Sequence, residues 1–165
     1  MEKIDKILVP TDFSFCSEEA LSYAVFLAKQ LDARILLIHI FESSVYPMAF
    51  TVSPPFGAAW PQIGGKLSKM ADSRKKGGVP IETHLLIGDP TTDIVEMAKS
   101  LECDLIIMGT HGRRGIAHVL MGSVAECVVR TSSIPVLTVR GRREAEAALG
   151  KHEVNEWAKV AVNQG

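Results

Sequence analysis

The sequence predicts an α/β fold: one domain built on a five-stranded parallel sheet with helices on both faces. Two observations predict it. Short apolar runs of strand length alternate with stretches of helical periodicity. Strand and helix then follow one another in turn, which requires parallel strands joined by right-handed crossovers. The length, 165 residues, suits a single hydrophobic core.

The elements follow in order. Lys6-Ile7-Leu8-Val9 reads as a buried strand ending at Pro10. Ser14 to Leu31 reads as a helix with Ala20, Ala24, Leu27 and Leu31 on one face, and Ser14 and Ser17 both suit its cap. Arg34 to Ile40, RILLIHI, is the second strand. Pro80 to Leu86 is the third, and its partial alternation suits a place nearer the sheet edge. Gly88-Asp89-Pro90 opens a helix to about Leu101. Asp104 to Met108 is the fourth strand, Gly122 to Thr131 a short helix, and Pro135 to Val139 the fifth strand. In such open sheets ligands bind beyond the carboxyl ends of the strands, where strand order reverses. That points to Pro10 to Ser14 and Gly109 to Gly115.

Two segments break the rhythm. Residues 43–65 carry Pro47, Pro54, Pro55 and Pro61, which rule out a continuous helix or a central strand; a helix resumes around Pro61 and ends at Lys76. The apolar side chains of this loop suit packing over the domain, a partner contact or a lid. In the tail after Val139, Val154, Trp157, Ala158 and Ala161 form one apolar helical face, for docking or for fraying into disorder.

Composition excludes several classes. Eighteen basic against nineteen acidic residues leave a net charge of −1, so no positive field is present to hold nucleic acid. No apolar run approaches the length of a membrane span, and MEKIDKILVP lacks the features of a secretory signal. Cys16, Cys103 and Cys127 are odd in number and form no CxxC pair; the reading is a reducing cytoplasm and no structural zinc. Cys103 and Cys127 suit small buried hydrophobes. Cys16 lies near a helix start, where a thiol can become acidic, yet no chemistry is assigned to it.

The chemically informative stretch runs from Met108-Gly109-Thr110-His111-Gly112-Arg113-Arg114-Gly115 to Gly122-Ser123-Val124-Ala125-Glu126. Glycine lets main-chain amides turn tightly and approach an anion. Gly122 and Ser123 open a helix whose free N–H groups and dipole favour phosphate, and Arg113 and Arg114 add positive charge. A structural reading stands beside this one. Ser123 to Glu126 is also a capping box, and Gly109 and Gly112 suit a plain turn. No GK[ST] or GxGxxG pattern occurs, and the missing P-loop lysine argues against vigorous ATP hydrolysis.

KILVPTDFS, Gly88-Asp89-Pro90 and MGTHGRRGIAHVLMGSVAECVVRTSSIPVLTVR, with its Gly-x2-Gly-x9-Gly-Ser spacing, resemble the universal stress protein family over roughly residues 3–140. The resemblance implies a Rossmann-like, adenine nucleotide alpha hydrolase-like domain at residues 1–140, and the tail's own pattern makes 141–165 a helical or partly disordered extension. It implies ATP binding, with Mg²⁺ carried by the phosphates. By position, Pro10, Thr11 and Asp12 would lie beside the nucleotide, with Asp12 near the ribose and phosphates, and Ile40 would border adenine. Met108, Gly109, His111, Gly112, Arg113, Gly122, Ser123 and Val124 would surround ribose and phosphates. It further implies a homodimer through Pro135 to Val139, which would be an unpaired edge in a monomer. Residues 43–65 and 141–165 lie outside the shared pattern.

Other readings of single residues stand. Asp12 also suits a helix start, and His111 a merely exposed loop position. His39 and His84 lie on strands, and no histidine pair has ligand spacing for a transition metal. Three functions are compatible with the chain. It is a cytoplasmic nucleotide-binding regulatory protein read by an unidentified partner, with little or no hydrolysis. It is an adenylyl- or phosphoryl-transferring enzyme of the same class. Or it is a structural dimer that binds no nucleotide, which the intact glycine pattern opposes.

Overall fold

The computed structural model describes residues 3–42, 59–75, 78–111 and 121–141. Five strands, β1 (Lys6–Pro10), β2 (Arg34–Glu42), β3 (Ile81–Gly88), β4 (Leu105–Gly109) and β5 (Val136–Val139), form one sheet. Its order is β3-β2-β1-β4-β5 and every pairing is parallel. The helices are α1 (Phe15–Leu31), α2 (Ala59–Lys75), α3 (Pro90–Ser100) and α4 (Ser123–Thr131).

The period-two alternation of the strands sorts their side chains onto two cores. Ile7, Val9, Ile35, Leu37 and Ile107 pack with α1 and α2. Leu8, Leu36, Ile38, Ile106 and Met108 pack with α3 and α4. Both faces are therefore covered, which is why the central strands read as unbroken apolar runs. The chain winds outward from β1 through β2 to β3. It then crosses back to the far side of β1 for β4 and β5, and the winding reverses between β1 and β4.

Helix ends follow side-chain chemistry. Ser14 caps α1, its oxygen accepting from the Ser17 N–H at 3.3 Å, and Asp32 ends that helix in the left-handed region at φ 55°. Ser17 is thus not the cap. Asp89 caps α3, with Pro90 pre-set in its first turn. The Asp93 carboxylate turns back to accept the Asp89 N–H at 3.0 Å and fills the space where a Cβ on Gly88 would stand.

The elements differ from the sequence reading in three places. β2 and β3 each run two residues further, to Glu42 and Gly88, because Phe41 and Glu42 pair with Ile87 and Gly88. α2 begins at Ala59, so residues 59–65 of the proline-bearing segment are helical. Pro61 sits in the first turn, where no N–H is needed, and Leu67, Met70 and Ala71 anchor the helix in the core. Finally, Gly122 is the N-cap of α4 and Ser123 its first helical residue, so Ser123 to Glu126 is not a capping box. Residues 43–58, Lys76 and 142–165 lie outside the described residues. Cys16 and Cys103 are buried, whereas Cys127 is only half-buried. Among the described residues no helix is long and apolar enough to cross a membrane.

Candidate functional site

Adjacent parallel strands β1 and β4 end side by side at the point where the winding reverses, and the turns that leave them build the site. The first turn is Thr11 to Ser14. The Thr11 N–H extends the ladder to the Ile38 carbonyl at 2.8 Å. Its side chain is buried and faces inward. The Thr11 Oγ1 lies 3.0 Å from Ser17 Oγ and accepts the Phe13 N–H at 3.0 Å. Asp12 is half-buried, and its Oδ1 accepts the Ser14 N–H at 3.0 Å. The helix-start reading of Asp12 therefore describes a bond that exists, and the residue stands in the turn that leaves β1 beside the reversal of the winding.

Phe13 follows in the left-handed region at φ 63°, costly for a residue with a bulky Cβ. Its ring rests on the imidazole of His39, with centroids 4.5 Å apart, and Lys66 Nζ of α2 stands 4.4 Å from the ring centroid. His39 is buried, and its Nδ1 donates to the Thr11 carbonyl at 2.7 Å. Carbonyl oxygen only accepts, so Nδ1 carries the hydrogen.

The second turn leaves β4. A Cβ on Gly109 would stand 2.9 Å from the Cys16 carbonyl carbon and 3.0 Å from the Cys16 Cβ and oxygen. Glycine at 109 is thus required by the approach of α1 to the sheet, whatever a ligand requires. The Thr110 N–H continues the ladder to the Val139 carbonyl at 2.9 Å, and the Thr110 carbonyl accepts the Gly122 N–H at 2.7 Å. That bond ties the start of α4 to the end of β4. His111 is buried, its Nδ1 3.1 Å from Thr110 Oγ1, so the reading of an exposed loop histidine does not hold.

The Gly122 amide is consequently engaged by the chain itself. The amides of Ser123, Val124 and Ala125 come next, ahead of the first intrahelical bond, from the Glu126 N–H to the Gly122 carbonyl at 2.9 Å. They and the helix dipole form the positive end of α4, tied by Gly122 to the end of β4.

The second core supplies apolar side chains close to these strand ends. Ile40 of β2 and Met108, next to last in β4, are buried in it, and Val124 packs against it. Pro10 is buried at the end of β1. The structure thus gathers Pro10, Thr11, Asp12, Met108, Gly109, His111, Gly122, Ser123 and Val124 around the β1 and β4 ends, with Ile40 one strand away on β2. Gly112 and Arg113 lie outside the described residues. Among the described residues no cluster of His, Cys, Asp or Glu could hold a metal ion.

Sequence reasoning assigned no site role to His39, Phe13, Lys66 or Thr110. A lone imidazole in the apolar run RILLIHI was a visible signal. The partners of Lys66 and Thr110 left no mark in the local pattern.

The model of the universal stress protein family matches residues 3–140. Universal stress protein MJ0531 of Methanocaldococcus jannaschii is 36% identical over 143 residues, covering 82% of this chain and 81% of its own length. Among solved structures, protein MJ0577, a universal stress protein of the same organism, superposes with a TM-score of 0.77 at 27% identity, covering 84% of this chain and 97% of that one. A universal stress protein solved in complex with cAMP superposes with a TM-score of 0.65 at 26% identity, covering 85% and 99%.

Proposed function

The chain belongs to the universal stress protein family, and on that premise we propose that it binds ATP in the crevice between β1 and β4 and serves as a nucleotide-responsive regulatory protein with little or no hydrolysis. The observation that carries this reading is the start of α4. Its first amides stand at the point of reversal, tied there by the Gly122–Thr110 bond, in the position of an anion site. The triphosphate sits on the amides of Ser123 and Val124, and Gly112 and Arg113, outside the described residues, stay assigned to it by the sequence motif. The Gly122 amide, held by Thr110, shapes the site without gripping the ligand. Adenine lies toward Ile40, beside the Met108 and Val124 surface, and Asp12 meets the ribose. Mg²⁺ arrives with the phosphates. The relative in complex with cAMP supports an adenine nucleotide as the ligand class.

The nucleotide domain is residues 1–140. A homodimer forms through Pro135 to Val139, since β5 ends the sheet order and offers its outer edge for pairing. A partner reads the nucleotide state in the cytoplasm.

Calorimetric titration with ATP and AMP, run beside an assay for ADP release, tests the reading. We expect micromolar ATP binding without rapid turnover. Gly122→Val is expected to weaken ATP at least tenfold. Its backbone, at φ −71° and ψ 156°, is open to any residue, so loss of the glycine cap costs only about 1 kcal/mol. Undiminished binding by this variant would refute the phosphate seat, and fast turnover would favour an enzyme.

A further inference from the structure

We propose that His39 is a positioning residue of this nucleotide site: its Nδ1–H bond to the Thr11 carbonyl holds the turn that presents Asp12 to the ligand. The inference rests on the reading of the crevice given above.

The turn after β1 is a short chain of dependent contacts. Beyond Pro10 the Thr11 N–H still reaches β2, but the strand then ends and its carbonyl has left the ladder. A buried carbonyl without a partner is costly, and His39 supplies the donor at 2.7 Å from 28 residues away. From Thr11 the turn closes on itself, with the Phe13 N–H on Thr11 Oγ1 and the Ser14 N–H on Asp12 Oδ1. The left-handed backbone of Phe13 does not persist unless its surroundings impose it. The His39 ring, 4.5 Å away centroid to centroid, and the Lys66 ammonium, 4.4 Å from the ring centroid, both hold it there. One imidazole therefore meets two successive parts of the turn, its carbonyl and its ring, and Asp12 lies between them in the chain. His39 itself sits on β2, a central strand, so its own position is rigid.

A histidine that merely satisfies a core bond would affect stability alone. The two side-chain amides separate the cases. Asparagine carries an N–H donor close to the place of Nδ1, whereas the glutamine donor falls near Nε2. Wild type, His39→Asn, His39→Gln and His39→Phe are titrated with ATP by calorimetry, and each is melted. We expect Gln and Phe to weaken ATP about tenfold and Asn to stay within about threefold of wild type, with Gln also melting below Asn because it leaves the Thr11 carbonyl unpaired. If Phe does not fold, the contrast between Asn and Gln decides. Equal ATP affinity in Asn and Gln, or unchanged affinity throughout, overturns the inference while leaving the nucleotide reading intact. Failure of the wild-type chain to bind ATP overturns that reading, and this inference with it.

Discussion

Gly109→Ala tests why the first glycine of the Gly-x2-Gly-x9-Gly-Ser motif is a glycine. The added Cβ would stand 2.9 Å from the Cys16 carbonyl carbon and 3.0 Å from its oxygen and Cβ. Ordinary carbon contacts begin near ~3.5 Å, so the intrusion is roughly half an ångström. Two of the three obstructing atoms are main chain in the first turn of α1, which no rotamer change can clear. Overpacking of this kind costs about 1–3 kcal/mol. At about 2–4 °C per kcal/mol for a chain of this size, the melting temperature should fall by roughly 2–12 °C. Gly65→Ala is the control. A Cβ there meets nothing within 4 Å, and the site lies inside α2, so alanine should raise stability by about 0.5–1 kcal/mol. Thermal melts followed by circular dichroism measure both. A Gly109→Ala melt within about 1 °C of wild type would refute the packing argument.

Two pH effects follow from burial and capping. Burial pushes the Cys103 thiol up to about 11 from an ordinary 9.0. The folded chain therefore keeps a proton that the unfolded chain loses, and the thiol contributes stability that is full below about 9 and lost as pH rises through about 11. The two-unit gap is worth on the order of 2–3 kcal/mol. Urea midpoints at pH 8 and 11 should fall further in wild type than in Cys103→Ala, and parallel losses would contradict this. At the other end of the scale, hydrogen bonds from the Thr91 hydroxyl and N–H hold the Asp89 carboxyl below its ordinary 3.8. That contribution is present above 3.8 and disappears as pH falls through the lower folded value. Asp89→Ala should lose about 1 kcal/mol at pH 7 through its cap, with the gap to wild type closing in strong acid. A gap that persists there would point to a cause other than the carboxylate.

The core was legible because burial on both faces leaves a plain trace. Ile7-Leu8-Val9 and the run from Ile35 to Ile38 have no polar interruption, and each is fully or nearly fully buried. The mixed pattern of β3 marked an edge for the same reason. What the pattern could not carry was anything decided by a distant partner. β2 and β3 lengthen each other, so neither end was written in its own residues. The start of α2 was obscured by Pro61, Gly64 and Gly65, which disguise a helix whose stability comes from Leu67, Met70 and Ala71 against the core.

The glycine loop shows the same division within one motif. Its spacing was legible, and the structure brings its described members to the ends of β1 and β4. Their individual reasons were not legible, because each is answered from elsewhere in the chain. Gly109 yields to Cys16, 93 positions earlier. Gly122 gives its amide to Thr110, and that bond, rather than the serine beside it, sets where α4 begins. A Ser-x-x-Glu pattern one residue out of register with the true cap therefore misled local reading. The consequence for the site is specific. With Gly122 spent on structure, the free amides of α4 begin at Ser123, and on the proposed reading the phosphate would be placed by the Thr110 carbonyl as much as by any glycine. On that reading, residues that hold Thr110 in place, above all Val139 through its carbonyl, would bear on the nucleotide without touching it, because the Thr110 N–H bond to Val139 joins β5, the proposed dimer edge, to the turn proposed to bind phosphate.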